Sequence, residues 1–357
     1  MLVHICCSVD SHFFLQRLKK EFPDEELTGF FYDPNIHPYS EYRLRLLDVQ
    51  RSCDILGVKL IEGEYDFKRW LESVRGYENE PEKGRRCEIC FDKRLEVSAK
   101  KAKELGEKRL TTTLLTSPKK SKEQLKEAGE KIAKRYELEF VSVDFRKNGG
   151  TQEQFKMAKE AKLYHQNYCG CIYALSKQRE EQERLATELF SPLSNRTLPS
   201  SIEEKTELYE KRIELEKRDI DYKIVREKFL NYRLLRAFVK RDKKVIPSYF
   251  LSYSTLKRNY TRGKIEYKRG SFYYLNKEEI RFVLLEDFNK KIDKDYKSIK
   301  ELIYNPPSFK EETNLRKNPY ELSPVIVIED IKSLDLKYEI YCDAKLYQDV
   351  RENLVIL

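Results

Sequence analysis

The chain has 357 residues, 37% of them charged and 40% hydrophobic, and carries a formal net charge of +9. That length accommodates two domains with a core each, and no apolar segment approaches the roughly 20 residues of a membrane span, so a soluble protein without a membrane partner is expected. The positive balance favours an anionic partner such as nucleic acid. His4 and Asp10 interrupt the only apolar stretch near Met1 that has the look of a secretory leader, which points to the cytoplasm.

In chain order, Leu2-Val3-His4-Ile5 is a short apolar run that predicts a strand, followed by a helix over Ser11 to Lys20. Residues 27–32 predict a second strand, closed by the turn Asp33-Pro34-Asn35. Leu44, Leu47, Ile55 and Leu56 have helical spacing within Tyr39 to Leu56, with Gly57 as the cap. Strands are then expected at Val58 to Ile61, Leu110 to Leu115 and Leu138 to Phe145, with helices at Arg94 to Leu105 and Glu123 to Tyr136 between them. Strands alternating with helices of this length predict an α/β fold with a parallel sheet covered on both faces.

From Ser191 the texture changes. Pro192, Pro199 and the polar run between them read as a linker, and Ser201-Ile202-Glu203-Glu204 fits a capping box opening a charged helix to about Lys217. After Pro247 come aromatic, strand-like runs with basic turns, above all Lys264 to Tyr274. The expected division is a metal-binding catalytic α/β domain at 1–190 and a smaller α+β accessory domain at 191–357. Bases interleaved with aromatics suit RNA contact; the plainer alternative is an antiparallel hairpin with buried rings on one face.

Six of the eight cysteines form three tight pairs, Cys6-Cys7, Cys87-x-x-Cys90 and Cys169-Gly-Cys171, while Cys53 and Cys342 stand alone as expected spectators. In a reducing compartment clustered thiols point to metal or redox chemistry rather than structural disulfides. Six thiolates exceed what one tetrahedral zinc can use, so a polythiolate iron–sulfur centre is the starting expectation. Cys6-Cys7 directly follows the first strand, where open α/β sheets place ligands.

The stretch Cys6-Cys7-Ser8-Val9-Asp10-Ser11 resembles in outline the S-G-G-x-D-S phosphate loop of the PP-loop ATP pyrophosphatases. Cysteine fills both glycine places, which crowds a phosphate and suits a metal held by two thiolates and the Asp10 carboxylate instead. Cys87-Glu88-Ile89-Cys90 leads into a helix whose N-terminus favours thiolate charge. The glycine of Cys169-Gly170-Cys171 lets neighbouring ligands converge.

The order of motifs resembles the cobalamin-independent epoxyqueuosine reductases, the QueH family. The matching segments are Val3 to Cys7, Gly29 to Tyr42, Glu80 to Cys90, Thr111 to Pro118, Asp144 to Arg146 and Tyr164 to Cys171, which together cover residues 1 to about 175. The resemblance implies a PP-loop-like, HUP-like (Rossmann-like) fold holding a [4Fe–4S] cluster and a second, mononuclear metal ion, iron. It implies reduction of epoxyqueuosine to queuosine at the wobble position of tRNA anticodons, with electrons from an external donor. Cys6, Cys7, Cys87, Cys90, Cys169, Cys171 and Asp10 are the implied ligands, their partition between the two centres left open. Val9 departs from the proline that family members often carry there. The resemblance gives no role to the residues beyond about 190.

Deoxygenating an epoxide takes two electrons and protonation of the departing oxygen, so a metal held partly by Asp10 is expected to act as a Lewis acid. His37 and Tyr39, with Glu41 and Tyr42, are the candidates for lining the substrate pocket and donating the proton; the alternative is that they order the preceding turn. His4 reads as a satisfied core histidine. Arg85, Arg86 and Arg146 are candidates for tRNA phosphates or for offsetting cluster charge, and Gln166 and Tyr168 for base contacts. Two other readings compete: an ATP-dependent PP-loop tRNA sulfurtransferase, disfavoured by the missing glycines, and a zinc-structured RNA-binding protein, which would be colourless.

Overall fold

A computed structural model of the chain describes residues 1–117, 121–191, 193–275, 280–316 and 321–357. Pro118, which ends one of the matching segments, and Pro192, part of the expected linker, lie outside the described residues. The chain divides into two compact units: residues 1–190, 205–224 and 354–357 form the first, and residues 191–204 and 225–353 the second.

The first unit is built on β1 (Leu2–Ile5), α1 (Ser8–Glu21), β2 (Thr28–Phe31), α2 (Tyr39–Leu56), β3 (Lys59–Glu62), α3 (Phe67–Ser73), α4 (Arg85–Glu104), β4 (Arg109–Thr112), α5 (Lys122–Arg135), β5 (Glu139–Phe140), α6 (Gly150–Glu160), α7 (Ile172–Glu181) and most of α8 (Ile202–Lys217). The strands form a sheet of order β3-β2-β1-β4-β5, parallel throughout. Alternation along each strand decides which helices cover which face. Val3, Ile5 and Phe31 pack with Phe14, Leu18, Leu46 and Val49 of α1 and α2. Leu2, Phe30 and Leu110 pack with Leu95, Ala99, Ile132 and Ala133 of α4 and α5 on the other face. Helices on both faces of a parallel sheet are the architecture that the alternation of elements implied.

Three elements differ from the sequence expectation, each for a local reason. The strand expected to Leu115 stops at Thr112, whose hydroxyl accepts from the Leu114 amide and caps a 3-10 turn over Thr113–Thr116. The strand expected over Leu138 to Phe145 pairs only at Glu139 and Phe140, because it lies at the sheet edge and leaves after the Val141 amide bonds Leu110. The helix expected from Arg94 begins at Arg85, so the second cysteine pair lies inside α4 rather than ahead of it.

In the second unit β6 (Tyr222–Arg241), β7 (Lys244–Ile246), β8 (Ser248–Phe250), β9 (Tyr260–Gly263), β10 (Ile265–Arg269), β11 (Phe272–Leu275), β12 (Ile280–Leu284), α9 (Leu285–Ile292), α10 (Ile299–Tyr304), α11 (Phe309–Leu315), β13 (Val325–Ile328) and β14 (Tyr338–Ile356) follow in order. They make a mixed five-stranded sheet, β10-β11-β12-β13-β8, and a four-stranded one, β7-β6-β14-β9. Phe282, Ile326 and Leu275 of the first sheet and Val239 and Ile340 of the second share one core. The basic and aromatic run Lys264 to Tyr274 is an antiparallel hairpin, β10-β11, turning at Gly270 with φ of 60°. No described helix is long and apolar enough to cross a membrane.

Candidate metal centre

The strand order reverses between β1 and β4, so a crevice opens at their carboxyl ends, the switch point where open α/β sheets bind ligands. Cys6 and Cys7 follow β1 immediately, and the Cys6 Sγ lies 3.6 Å from the Thr113 Oγ1 that follows β4. A cavity of about 160 Å³ there is lined by Cys6, Cys87, Cys90, Cys169 and Cys171, with Asp10, Asn35, Trp70, Arg86, Arg94, His165 and Gln166 among its other walls. Cys7 is buried just behind Cys6, with the two sulfurs 3.9 Å apart. Ligand atoms of Cys6, Cys7 and Asp10 all lie within 4.8 Å of one another. Three chain segments separated by about eighty residues each therefore contribute cysteines to the walls of one cavity.

Each pair reaches the cavity at a helix N-terminus. Cys7 is the N-cap of α1, Cys87 and Cys90 stand in the first two turns of α4, and Cys171 is the N-cap of α7. The amide groups left unpaired at a helix start, and the positive end of its dipole, favour thiolates and any anionic group they hold. The Lys83 amide also donates to the Cys87 sulfur at 3.3 Å.

The third pair is fixed by backbone contacts. Gly170 has φ of 99°, and a Cβ there would come 2.7 Å from Ile36 Cγ1 and 3.1 Å from Ile36 Cα, so the turn needs glycine. Its carbonyl accepts from the His37 amide at 2.9 Å, and the Cys169 carbonyl accepts from Asn35 Nδ2 at 3.4 Å. Arg45, ion-paired with Glu41 at 2.7 Å, donates to the Tyr168 carbonyl at 2.9 Å. The same Glu41 accepts from the Tyr164 hydroxyl at 2.9 Å.

The charge environment explains what the site lacks as a bare set of thiols. The Cys7 thiol is pushed well up, first by its hydrogen bond with Cys6, then by burial and by Asp10. Cys171 is pushed up by Cys169 and by burial. Sulfurs crowded with each other and with a carboxylate ionise together only when a cation sits among them. Arg94 supplies part of that charge: buried and paired with Asp33, it lies within electrostatic reach of Cys90 and Cys6. Its Nε–H donates to His4 Nε2 at 3.3 Å, which leaves His4 Nδ1 facing Thr112 Oγ1 at 2.8 Å. His4 is a buried, neutral, hydrogen-bonded core residue, as expected, with its pKa held well below the usual value by burial and Arg94.

The donor set suits iron or zinc, both of which take thiolate and carboxylate ligands. Two orphaned polar groups fit a sulfur-rich occupant. Trp70, buried in one cluster with Cys90 and Cys171, has an indole N–H without a partner among the described residues, and so does the Arg86 Nε. Asp10 is oriented by Gln154, whose Nε2 donates to Oδ1 at 2.6 Å.

Not every expected residue reaches the cavity. His37 and Tyr39 are not among its lining residues: the His37 ring stacks on Phe67 at 4.7 Å, and Tyr39 is 52% exposed beside Tyr42 and Tyr65. His37 serves instead through its backbone, whose N–H bonds Gly170 and whose carbonyl accepts from the Tyr168 hydroxyl at 2.6 Å. Glu41 and Tyr42 are tied into internal bonds with Arg45 and Glu62. Arg86 lines the cavity, whereas exposed Arg85 pairs with Glu88 and Arg146 with Asp144. Gln166 and Tyr168 do line it. Cys53 and Cys342 are buried away from it, both thiols pushed up to about 12 chiefly by burial. Trp70, Arg94, Asn35 and His165 were not singled out from the sequence. Asn35 and His165 fall inside segments that match the family, where a signal was present, whereas only their position shows Trp70 and Arg94.

Residues 1–177 match the family model described as epoxyqueuosine reductase QueH. A relative of that name from Helicobacter pylori is 42% identical, over 95% of this chain and 96% of its own. Relatives of the same name from Thermotoga maritima and Acinetobacter baylyi are 34% and 38% identical, over 52% and 49% of this chain and 95% and 80% of theirs. A solved structure described as a predicted subunit of tRNA methyltransferase, from Methanocaldococcus jannaschii, is similar at a TM-score of 0.33 and 15% identity, covering 54% of this chain and 92% of that one. With likeness to the Helicobacter protein running nearly end to end, and the cysteine-bearing segments all inside the matched region, the chain belongs to the epoxyqueuosine reductase QueH family.

Proposed function

We propose that this chain reduces epoxyqueuosine to queuosine at the wobble position of tRNA anticodons, in the cytoplasm, with a [4Fe–4S] cluster and an adjacent mononuclear iron and with electrons from an external donor. The observation that carries the reading is the meeting of three cysteine pairs at one cavity beside Asp10. The closeness of Cys6, Cys7 and Asp10 to one another supports giving them to the single metal, which leaves Cys87, Cys90, Cys169 and Cys171 as four thiolates for the cluster. When bound, the two centres supply electrons and a Lewis acid for the epoxide oxygen.

The protein's own groups then have separable tasks. Gln154 holds Asp10 in one orientation, so that its second oxygen faces Cys6. Trp70 and the apolar ring cluster around it keep water from the sulfurs. Reduction of an epoxide to an alkene consumes two electrons and two protons and releases water. His165, the histidine among the lining residues, is the proposed donor for the departing oxygen, in place of His37 and Tyr39. Gln166 and Asn35 offer amides for the hydrogen-bonding edge of the modified base. Residues 1–190 are the proposed catalytic domain, and residues 191–357 an accessory domain that contacts RNA.

Two measurements test this. Nucleoside mass spectrometry of tRNA from a deletion strain should show epoxyqueuosine accumulating and queuosine restored on complementation; unchanged queuosine would sink the assignment. Anaerobic reconstitution should bind more iron per chain than a [4Fe–4S] cluster contains. A colourless protein that holds one zinc and shows no redox activity would favour the zinc-structured alternative.

A further inference from the structure

The four-stranded sheet of the second unit carries a row of aromatic rings on its outer face. Phe238 of β6, Tyr341 of β14 and Tyr260 of β9 stand on three adjacent strands. Their neighbours in sequence, Val239, Ile340 and Cys342, are buried in the core, so strand alternation turns the rings outward. Phe238 and Tyr341 stack at 4.4 Å, Tyr341 and Tyr260 lie 4.7 Å apart, and Tyr260 is 42% exposed. Lys240 is 5.6 Å from the Phe238 ring and 5.4 Å from the Tyr341 ring.

Beside the rings is a basin of about 410 Å³ lined by Lys240, Lys243, Arg262, Lys264 and Lys337 against Asp242, Asp335 and Glu339. Lys264 is 3.6 Å from Asp335, whereas Lys240, Lys243 and Lys337 have no carboxylate partner among the described residues. Lys240 belongs to both features. A cationic pocket that accepts a phosphodiester next to rings that accept a base is the combination by which proteins hold unpaired nucleotides.

We infer that this face binds an unpaired stretch of the substrate tRNA, stacking a base on the Phe238-Tyr341-Tyr260 row and seating a backbone phosphate over Lys240 and Lys243. The inference rests on tRNA being the substrate and adds a second contact remote in sequence from the cysteines. The Thermotoga relative needs only about half of this chain to account for 95% of its length, so the extra half is free to serve grip rather than chemistry. Charge complementarity selects RNA over a neutral peptide, since the chain carries +9.

The test uses the full-length, metal-loaded protein and an unmodified tRNA transcript, with affinity read by fluorescence anisotropy across salt concentrations. Tyr341→Leu, which keeps apolar volume, should weaken binding roughly tenfold, in the range of one lost base stack. Lys240→Gln and Lys243→Gln should each lower the salt slope by about 0.7, the value for one single-strand phosphate. With melting temperatures matched to the parent, turnover at saturating epoxyqueuosine-bearing tRNA should persist and KM for that tRNA should rise. Unchanged affinity and slope in all three variants overturns the inference, and so does a loss confined to poly-glutamate binding, which would assign the face to an acidic protein. Failure of the functional reading looks different: the parent would bind the transcript, and the variants would bind it less, without any reduction of epoxyqueuosine.

Discussion

Replacing Arg212 by leucine should destabilise the first unit severely, although Arg212 lies about forty residues beyond Cys171, the last of the paired cysteines, in a helix dense with charge. Its side chain is fully buried and so is that of Asp48, with Nη2 and Oδ1 2.6 Å apart. Asp48 is also where two parts of the metal centre are tied together: it accepts from the Ser8 hydroxyl at the start of α1 and from the Tyr164 amide, at 2.7 Å, at the start of the segment leading to Cys169. Arg212→Leu removes the charged donor and leaves the carboxylate buried with two neutral ones. It also frees the Lys162 carbonyl, which Arg212 Nη1 reaches at 2.6 Å. Breaking a buried pair from one side costs about 3–5 kcal/mol, a large share of the roughly 5–15 kcal/mol that holds a domain together. At about 2–4 °C per kcal/mol for a unit of this size, the metal-free protein should melt some 6–20 °C lower. Urea denaturation of Arg212→Leu, Asp48→Asn and the double variant measures the coupling, and the double variant should recover at least ~1 kcal/mol over Arg212→Leu. A single variant within ~1 kcal/mol of the parent, or a double variant no better than the single, refutes the reasoning.

Other changes probe the centre and its supports. Trp70 is the chain's single tryptophan, so its fluorescence should be quenched in step with iron uptake during anaerobic reconstitution; emission indifferent to iron would place the metal elsewhere. Trp70→Phe keeps the ring and drops the N–H, and should lower the midpoint potential of the bound centre by tens of millivolts, the usual sense of losing a hydrogen bond to sulfur. Gly170→Ala forces a Cβ against Ile36 at φ of 99°, and with about 1–3 kcal/mol of backbone strain it should reduce iron retained per chain after gel filtration; full iron content would contradict the tightness of that turn. Glu216 is clamped by Arg51 through two bonds, at 2.7 and 2.8 Å. Burial works to raise its pKa, and the bonds from Arg51 and Tyr222 outweigh burial, so it lies below the usual value. The stability it adds is present above the ordinary glutamate range, near 4.3, and is lost as pH falls through the lower folded value. The parent's advantage over Glu216→Gln at pH 7 should therefore shrink in acid melts, and an advantage that grows in acid would show the sign to be wrong.

The parts of this protein written locally were legible, and those written by long-range burial were not. The bounds of α2 agree with its sequence reading because apolar spacing and the cap Gly57 both lie within it. The start of α4 was missed because Arg85-Arg86-Cys87-Glu88 has no apolar period; the helix exists there through tertiary support, with Arg86 donating to the Tyr77 and Glu78 carbonyls at 3.2 and 2.7 Å. Cysteine chemistry could be read from spacing, since ligand pairs must be close in chain to grip one ion. Proton donors need no such spacing. His37 and Tyr39 fell within a matching segment and so drew the assignment, while His165, near Cys169 in another such segment, is the histidine that faces the cavity. Arg212 is the clearest case: it is the single arginine of α8 and shares a face with Tyr209 and Leu215, but nothing in the sequence of that charged helix shows that this face closes over Asp48.

The similarity of the first loop to a phosphate loop has a physical basis that outlasts the change of ligand. A helix start after a parallel strand presents unpaired amides and a positive dipole end, which suit any compact anion. With glycines the backbone itself approaches a pyrophosphate. With Cys6 and Cys7 the approach is filled by sulfur, and the positive end now faces thiolates that need it. The same logic is repeated at α4 and α7, so three helix starts converge where the phosphate site would hold one ligand. Their combined field favours an assembly whose net charge is negative, as a four-thiolate iron–sulfur cluster is, over a bare cation with neutral ligands. On this argument, substituting one cysteine of the Cys87 or Cys169 pair by serine should release cluster iron before it unfolds the sheet, because the sheet is held by the apolar cores on its two faces and not by the metal. Far-ultraviolet circular dichroism that collapses together with iron loss would mean the reverse, a fold that depends on its metal.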